Sequence, residues 1–281
     1  MTQVEDRDRI SDPYDVGFVA QASHKSGYVA HYLPTTDSTM NRANERAEST
    51  WEEVPVYYAD EQTQGRGRSG RKWQSIPGYD VMFSALLKPP QSGIFMLSDI
   101  LALRTRQGIH SVVGNEVEVE LKYPNDLVVS DKKLAGLLVV SILNRNQNNR
   151  GINVGVGINV HETEEDFSGY ETDYPPTSLD IVRGELVSRQ DVLLSVLDAI
   201  RYAGSEATIA AENPVSRERI NDELREASAL LDRDIVIFKG DDPFAEGQVV
   251  DTQVGKGIQV KNGKIKRWHK KFDSDMKVRV A

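Results

Sequence analysis

The residues most able to do chemistry lie close together in residues 64–73, which read QGRGRSGRKW. Gly65, Gly67 and Gly70 alternate there with Arg66, Arg68, Arg71 and Lys72, and no acidic residue interrupts them. Glycines let backbone N–H groups approach an anion closely, while arginines offer charge-assisted, two-pronged hydrogen bonds to phosphate or carboxylate oxygens. Such a stretch, with no apolar anchor before Trp73, suits a lid that grips phosphate. The spacing is not that of a Walker A loop. A solvated basic loop or a nucleic-acid-binding RGG segment has the same composition, so the stretch alone leaves the readings balanced.

A second group is Lys122-Tyr123-Pro124-Asn125-Asp126, followed by Lys133-Leu134-Ala135-Gly136. A lysine, an amide and a carboxylate converging at strand ends could hold a nucleotide base, a magnesium ion and an anionic acyl group. The same residues also make an ordinary turn with surface lysines. A third group, Gly155-Val156-Gly157-Ile158-Asn159-Val160, sets small residues in an apolar strand. There a ligand could pass close to the backbone, or a neighbouring helix could pack.

These groups must be positioned by the elements between them. Residues 1–30 lack clear periodicity and are expected to be a loosely ordered lead-in. A helix should start near Ser38, where cap-type residues precede good helix formers. Strands are expected at 55–60 and 81–87, and a helix over 96–113. Residues 116–122 alternate strictly, as a strand with one buried face does, and the Pro124 turn ends it. Strands at 127–130 and 134–143, joined through residues 131–133, should form a hairpin. A polar turn at 144–150 then leads to a strand over 152–160. Helices follow at 188–203, with Val192, Leu193, Val196, Leu197 and Ile200 on one face, and at 215–230. From residue 232 short strands alternate with Gly and Asp, as in a small barrel.

The fold class expected is therefore α+β: a mixed sheet flanked by helices, with a small C-terminal SH3-like β-barrel. The domain division is 1–30 lead-in, 31–230 catalytic domain and 231–281 barrel. Zero cysteines among 281 residues exclude thiolate catalysis and cysteine zinc sites, and the five histidines never fall into metal-binding spacing. A net charge of −9 argues against wide nucleic-acid binding. No apolar run approaches the roughly 18 to 20 residues that a membrane helix needs, and the first ten residues do not read as a secretory signal. A cytoplasmic location without membrane association is expected.

Taken together and in order, Ser38-Thr39-Met40-Asn41, the GRGRSGRKW loop, KYPNDL with KLAG, and GVGINV resemble the biotin protein ligases, with the fold of class II aminoacyl-tRNA synthetases and biotin ligases. The likeness is strong over residues 37–159 and weak over the C-terminal strands. It implies that Ser38, Thr39 and Gln62 line a biotin pocket bordered by Gly65, Arg66, Gly67, Arg68, Lys133 and Gly136. It further implies Arg71, Trp73, Asn125 and Asn159 on the nucleotide side, Asp126 near magnesium, and Lys133, Arg66 and Arg68 in catalysis. One departure is Tyr123, where the family usually has Trp.

The resemblance implies an ATP- and Mg²⁺-dependent ligase that forms biotinyl-5′-AMP and passes biotin to a lysine of a biotin carboxyl carrier protein. It allows a homodimer. Residues 1–30 are too few for a winged-helix domain, so DNA binding is not expected. A lipoate ligase of the same fold group is the nearest alternative, and a nucleic-acid-binding protein using the basic loop is the more distant one.

Overall fold

The structure, a computed structural model, describes residues 12–47, 52–143, 150–170, 174–239, 242–269 and 276–281. Helix α1 (Val16–Lys25) is capped by Asp15, whose carboxylate accepts from the Phe18 amide at 2.9 Å. It leads into β1 (Tyr28–Thr36), α2 (Thr39–Arg46) and β2 (Val54–Gln62). Strand β1 runs parallel to β2, and α2 is the crossover that a parallel pair requires. Then come β3 (Val81–Leu87), α3 (Leu97–Val113), β4 (Glu120–Lys122), β5 (Asp126–Val129), β6 (Lys132–Leu143) and β7 (Arg150–Ile158). They complete a seven-stranded mixed sheet ordered β1-β2-β3-β7-β6-β5-β4.

Alternation divides this sheet into two faces. One carries Phe83, Ala85, Leu137, Val154 and Val156 into the main apolar core with Ile100, Leu101 and Leu103 of α3. From α5 (Arg189–Ile200) that core takes Val192, Leu193, Val196, Leu197 and Ile200, the stripe expected from sequence. The opposite face carries Ser84, Gly155 and Gly157, which meet α2 and the Gly-Arg loop instead. The short α4 (Leu179–Arg183) precedes α5. After it come α6 (Ala203–Glu212) and α7 (Pro214–Glu226), the latter capped by Asn213 with proline at its first position.

Beyond α7 the chain lays Ala227 and Ala229 along β4. The Leu121 amide donates to the Ala227 carbonyl at 2.6 Å, and the Ala229 amide to the Leu121 carbonyl at 3.0 Å. Strands β8 (Asp234–Lys239), β9 (Asp242–Gln253), β10 (Gly257–Asn262), β11 (Ile265–His269) and β12 (Met276–Val280) form an open ladder ordered β11-β10-β9-β8-β12. It has its own apolar cluster around Leu230, Ile237, Val249, Ile258 and Val278. Among the described residues no helix is long and apolar enough to cross a membrane.

Several expectations change. The stretch expected as a loose lead-in holds α1 and the start of β1, and Asp12 and Tyr14 pack against the far end of the sheet. The strand expected over 116–122 shrinks to Glu120–Lys122. Val117 and Val119 stay buried, but the Val119 carbonyl accepts from Arg106 Nε at 2.6 Å rather than from a neighbouring strand. Helix α5 ends at Ile200, and α6 was not anticipated, since alanines 203, 207 and 210 rather than large apolar residues make its buried stripe. The hairpin turn is Ser130-Asp131, both left-handed at φ 49° and 62°, so Lys132 and Lys133 belong to β6. The turn expected at 144–150 falls, but for Arg150, outside the described residues.

The packed end near residue 12 rests on buried charge. Arg189, 1% exposed, donates to Asp60 Oδ1 at 2.9 Å and to the Asp12 carbonyl. His161, 2% exposed, lies between Asp180 Oδ2 at 2.7 Å and Asp12 Oδ2 at 3.2 Å. Burial opposes its charge, but the hydrogen bonds to Asp12 and Asp180 prevail and raise its pKa from 6.5 to about 9. Because the folded value is the higher, the stabilisation is complete below about pH 6.5 and is lost as pH rises through about 9, up to about 3 kcal/mol in all. Urea unfolding between pH 6 and 10 should show that loss in the native chain and not in His161→Gln; equal slopes in both would refute the assignment.

Candidate functional site

On the sheet face away from the main core, a cavity lies between α2, the Gly-Arg loop, the β4–β5 turn, β6, β7 and β12. Its position follows from the topology, because the β1–α2 crossover delivers the start of α2 to the sheet at β3. Ser38 is the helix cap residue by position, yet its Oγ caps nothing; it is 1% exposed and without a hydrogen-bond partner. Thr39 Oγ1 lies 2.8 Å from Ser84 Oγ and donates to Gln62 Oε1 at 3.1 Å, which also accepts from the Thr39 amide at 2.8 Å. This end of the cavity is neutral and polar.

The loop itself is a tight hairpin. Arg66 bridges to Lys72, the Gly67 amide donates to the Arg71 carbonyl at 2.7 Å, and Ser69 and Gly70 turn the chain at φ 58° and 75°. Its root is Trp73, whose ring lies on Gly157 and Gly136, register partners on adjacent strands. A Cβ at Gly157 would stand 2.5 Å from the Trp73 ring, and one at Gly136 would stand 3.2 Å from it. The absence of both side chains makes the slot. Gly155 similarly admits Met40 of α2, so the glycines of GVGINV serve an indole and a helix.

Asn125 holds the β4–β5 turn against β6: its Nδ2 donates to the Leu137 carbonyl at 2.9 Å, and the Leu137 amide donates back to the Asn125 carbonyl at 2.9 Å. Lys133 Nζ pairs with Asp126 at 2.8 Å and stands 5.6 Å from the Trp73 ring centre. Lys122 is buried with its Nζ 2.9 Å from the Tyr174 ring centre. Burial pulls its pKa from 10.5 down to about 8, partly countered by Asp126.

Of the residues expected from sequence, Ser38, Thr39, Gln62, Arg66, Gly67, Arg68, Arg71, Trp73, Asn125, Asp126, Lys133 and Gly136 all line this cavity. Gly65 and Asn159 do not. Gly65 is buried under the Trp73 carbonyl, where a Cβ would approach to 2.5 Å. Asn159 donates from Nδ2 to the carbonyls of Thr177 at 2.9 Å and Lys133 at 3.3 Å, bracing the strand that bears Lys133. Met40, Tyr174, Lys277 and Arg279 line the cavity without having been assigned a place there, and Lys122, singled out within KYPND but given no role of its own, lines it too. The alternation of Lys277 and Arg279 along one strand was the available signal for that pair.

Among the described lining residues, seven cationic side chains, Arg66, Arg68, Arg71, Lys122, Lys133, Lys277 and Arg279, thus stand with a single carboxylate, Asp126, in a chain of net charge −9. Such a lining suits a ligand with several negative charges, while Ser38, Thr39 and Gln62 offer neutral hydrogen bonding. Among the described residues no cluster of three or more His, Cys, Asp or Glu could hold a metal ion.

Comparison with known proteins gives the same region. Residues 32–159 match the model of the biotin/lipoate A/B protein ligase family. The chain is 32% identical over 168 residues to the bifunctional ligase/repressor BirA of Bacillus spizizenii, covering 59% of this chain and 50% of that protein. It is 29% identical over 167 residues to the biotin--[acetyl-CoA-carboxylase] ligase of Paracoccus denitrificans, covering 57% and 67% respectively. It spans about half the length of the BirA relatives that it matches. The biotin protein ligase of Aquifex aeolicus, solved in complex with biotin and ATP, superposes with a TM-score of 0.70 at 25% identity, over 90% of this chain and 99% of that one. Over residues 32–159 the chain is thus similar to the biotin/lipoate A/B protein ligase family.

Proposed function

We propose that this protein is an ATP-dependent biotin ligase that makes biotinyl-5′-AMP and transfers biotin to a lysine of a biotin carboxyl carrier protein. The observation that carries the reading is the lining of the cavity: among the described residues, the neutral polar groups of Ser38, Thr39 and Gln62 together with seven cations against one carboxylate. The neutral groups suit the ureido ring of biotin, and the cations suit the carboxylate and the phosphates. The names of the Paracoccus and Aquifex proteins support biotin as the acid and ATP as the nucleotide.

Biotin's carboxylate is a poor acyl donor because it is negatively charged and would have to expel oxide. In the proposed reaction a carboxylate oxygen attacks the α-phosphorus of ATP and pyrophosphate leaves. Lys133, Arg66 and Arg68 would stabilise the charge that builds on the phosphates, and Arg71 the departing pyrophosphate. The neutral amine of a carrier lysine then attacks the acyl carbonyl, loses a proton and releases AMP, so no covalent bond to the enzyme is needed. The hairpin seated by Trp73 would keep water from the acyl-adenylate. Magnesium is commonly held by one or two carboxylates together with substrate phosphates. The single carboxylate Asp126 fits an ion that arrives with the nucleotide; bound, that ion would neutralise phosphate charge.

The division into a catalytic domain over 31–230 and an SH3-like domain over 231–281 belongs to the same proposal, supported by the separate apolar cluster of β8 to β12. Under it, β12 supplies Lys277 and Arg279 to the cavity from outside the catalytic domain.

Biotin-dependent exchange of labelled pyrophosphate into ATP tests the activity directly: exchange with lipoate and not with biotin would overturn the choice of acid. Lys133→Ala should slow exchange by about 100-fold or more while calorimetric biotin affinity changes by less than about threefold, since the lysine's charge matters most as negative charge develops. Equal losses of affinity and rate would reduce Lys133 to a substrate clamp. Gly157→Ala should unseat Trp73, giving a red-shifted tryptophan emission and about a tenfold or greater loss of exchange at little cost in melting temperature. Unchanged emission and rate would show that the glycine slot is not needed.

A further inference from the structure

Strand β3 is buried throughout, and in its run VMFSALL Ser84 is the only polar residue. A buried hydroxyl left without a partner costs stability, and among the described residues Ser84 Oγ has one partner, Thr39 Oγ1 at 2.8 Å. Ser84 must therefore be the donor of that bond, because the reverse direction would bury its proton with no acceptor. The Thr39 hydroxyl passes the direction on, donating to Gln62 Oε1 at 3.1 Å. That oxygen also accepts from the Thr39 amide at 2.8 Å, and since a backbone N–H can only donate, the side-chain amide of Gln62 cannot be turned the other way round. Gln62 Nε2 gives one N–H to the thioether of Met82 at 3.2 Å, a weak acceptor on the same face of β3 as Ser84. Its other N–H has no partner among the described residues.

Building on the ligase reading above, we propose that Ser84 is a positioning residue for the acid substrate: from behind the cavity wall it fixes Thr39 as a hydrogen-bond acceptor, and the site thereby favours a ring that carries a urea. Ser84 itself does not line the cavity, whereas Thr39 and Gln62 do. With one lone pair of Oγ1 taken by Ser84 and its proton committed to Gln62, Thr39 can only accept from a ligand. Gln62 can only donate. An acceptor beside a donor matches the N–H and C=O that adjoin in a cyclic urea, and Ser38 Oγ, buried without a partner, can complete either edge. The dithiolane ring of lipoate offers neither group and would leave these side chains unpaired, which penalises it more than the loss of one bond. Without the serine, the Thr39 hydroxyl is free to turn its proton toward the cavity, and the acceptor is no longer fixed.

The test is biotin calorimetry on the full chain, beside pyrophosphate exchange. Ser84→Ala should weaken biotin binding about tenfold, with kcat and KM for ATP within about twofold of native. Ser84→Cys keeps the volume and a weak donor; it should weaken binding about threefold, and it serves if Ser84→Ala does not fold. Thr39→Val should weaken binding about 100-fold, since it removes the acceptor itself. Adding either Ser84 change to Thr39→Val should then alter biotin affinity by less than about twofold, because a residue that acts through Thr39 has nothing left to position.

Native biotin affinity in both Ser84 variants, a loss that persists undiminished in the Thr39→Val background, or an equal loss of ATP affinity would overturn the proposal, the last two by showing that the serine acts through packing. The ligase reading fails separately. A native chain that binds biotin, loses it as stated in Ser84→Ala, yet supports no exchange would remove the ligase reading and keep the Ser84 link. Biotin-dependent exchange with unaltered biotin binding in the Ser84 variants would do the reverse, and a native chain that binds no biotin would overturn both.

Discussion

The crowding of cations around one cavity is the constraint to which the site answers: among the described lining residues seven stand against one carboxylate. Two like charges about 5 Å apart at an effective dielectric of about 20 repel by about 3 kcal/mol, so beyond the Lys133–Asp126 pair the arrangement leans on the backbone and on apolar packing. The arginines of the hairpin are carried on a backbone closed by main-chain bonds and rooted by an indole in a glycine slot. Lys133 is fixed because the Ser130-Asp131 turn sets its strand, and Asn159 ties that strand to Thr177. The long apolar core of α3 and α5 lies on the other face, where it can be continuous because the polar work has been moved away from it.

Much of this was readable in residue types. Glycine beside arginine announced an anion, and the strict alternation or continuous apolarity of 81–87 and 134–143 announced strands, because these patterns act over a few neighbours. What escaped was decided by distant partners. The strand expected over 116–122 is cut short when Arg106 takes the Val119 carbonyl. Helix α6 hides behind alanines whose burial depends on α3 and α7. Asp12, in a stretch read as loose, is held by Arg189 and His161 from far along the chain.

The candidate site shows the same division. Twelve of the fourteen residues named from sequence reach the cavity, since each lies in a segment short enough for its own turn chemistry to aim it. Gly65 and Asn159 stand behind the wall, and their types suited contact or bracing equally well. The two cations of β12 lie more than a hundred residues from KLAG, and only the docking of the C-terminal sheet brings them in.

The run of chain after α7 has an effect that concerns neither ligand nor charge. By pairing with Leu121 on both sides of its peptide, Ala227 and Ala229 occupy the margin of the large sheet at β4. An exposed strand margin invites another chain to continue the ladder, and with it uncontrolled polymer growth. Here the stretch of margin at Leu121 is sealed by the molecule's own connector, so no further strand can be added to the sheet at that point.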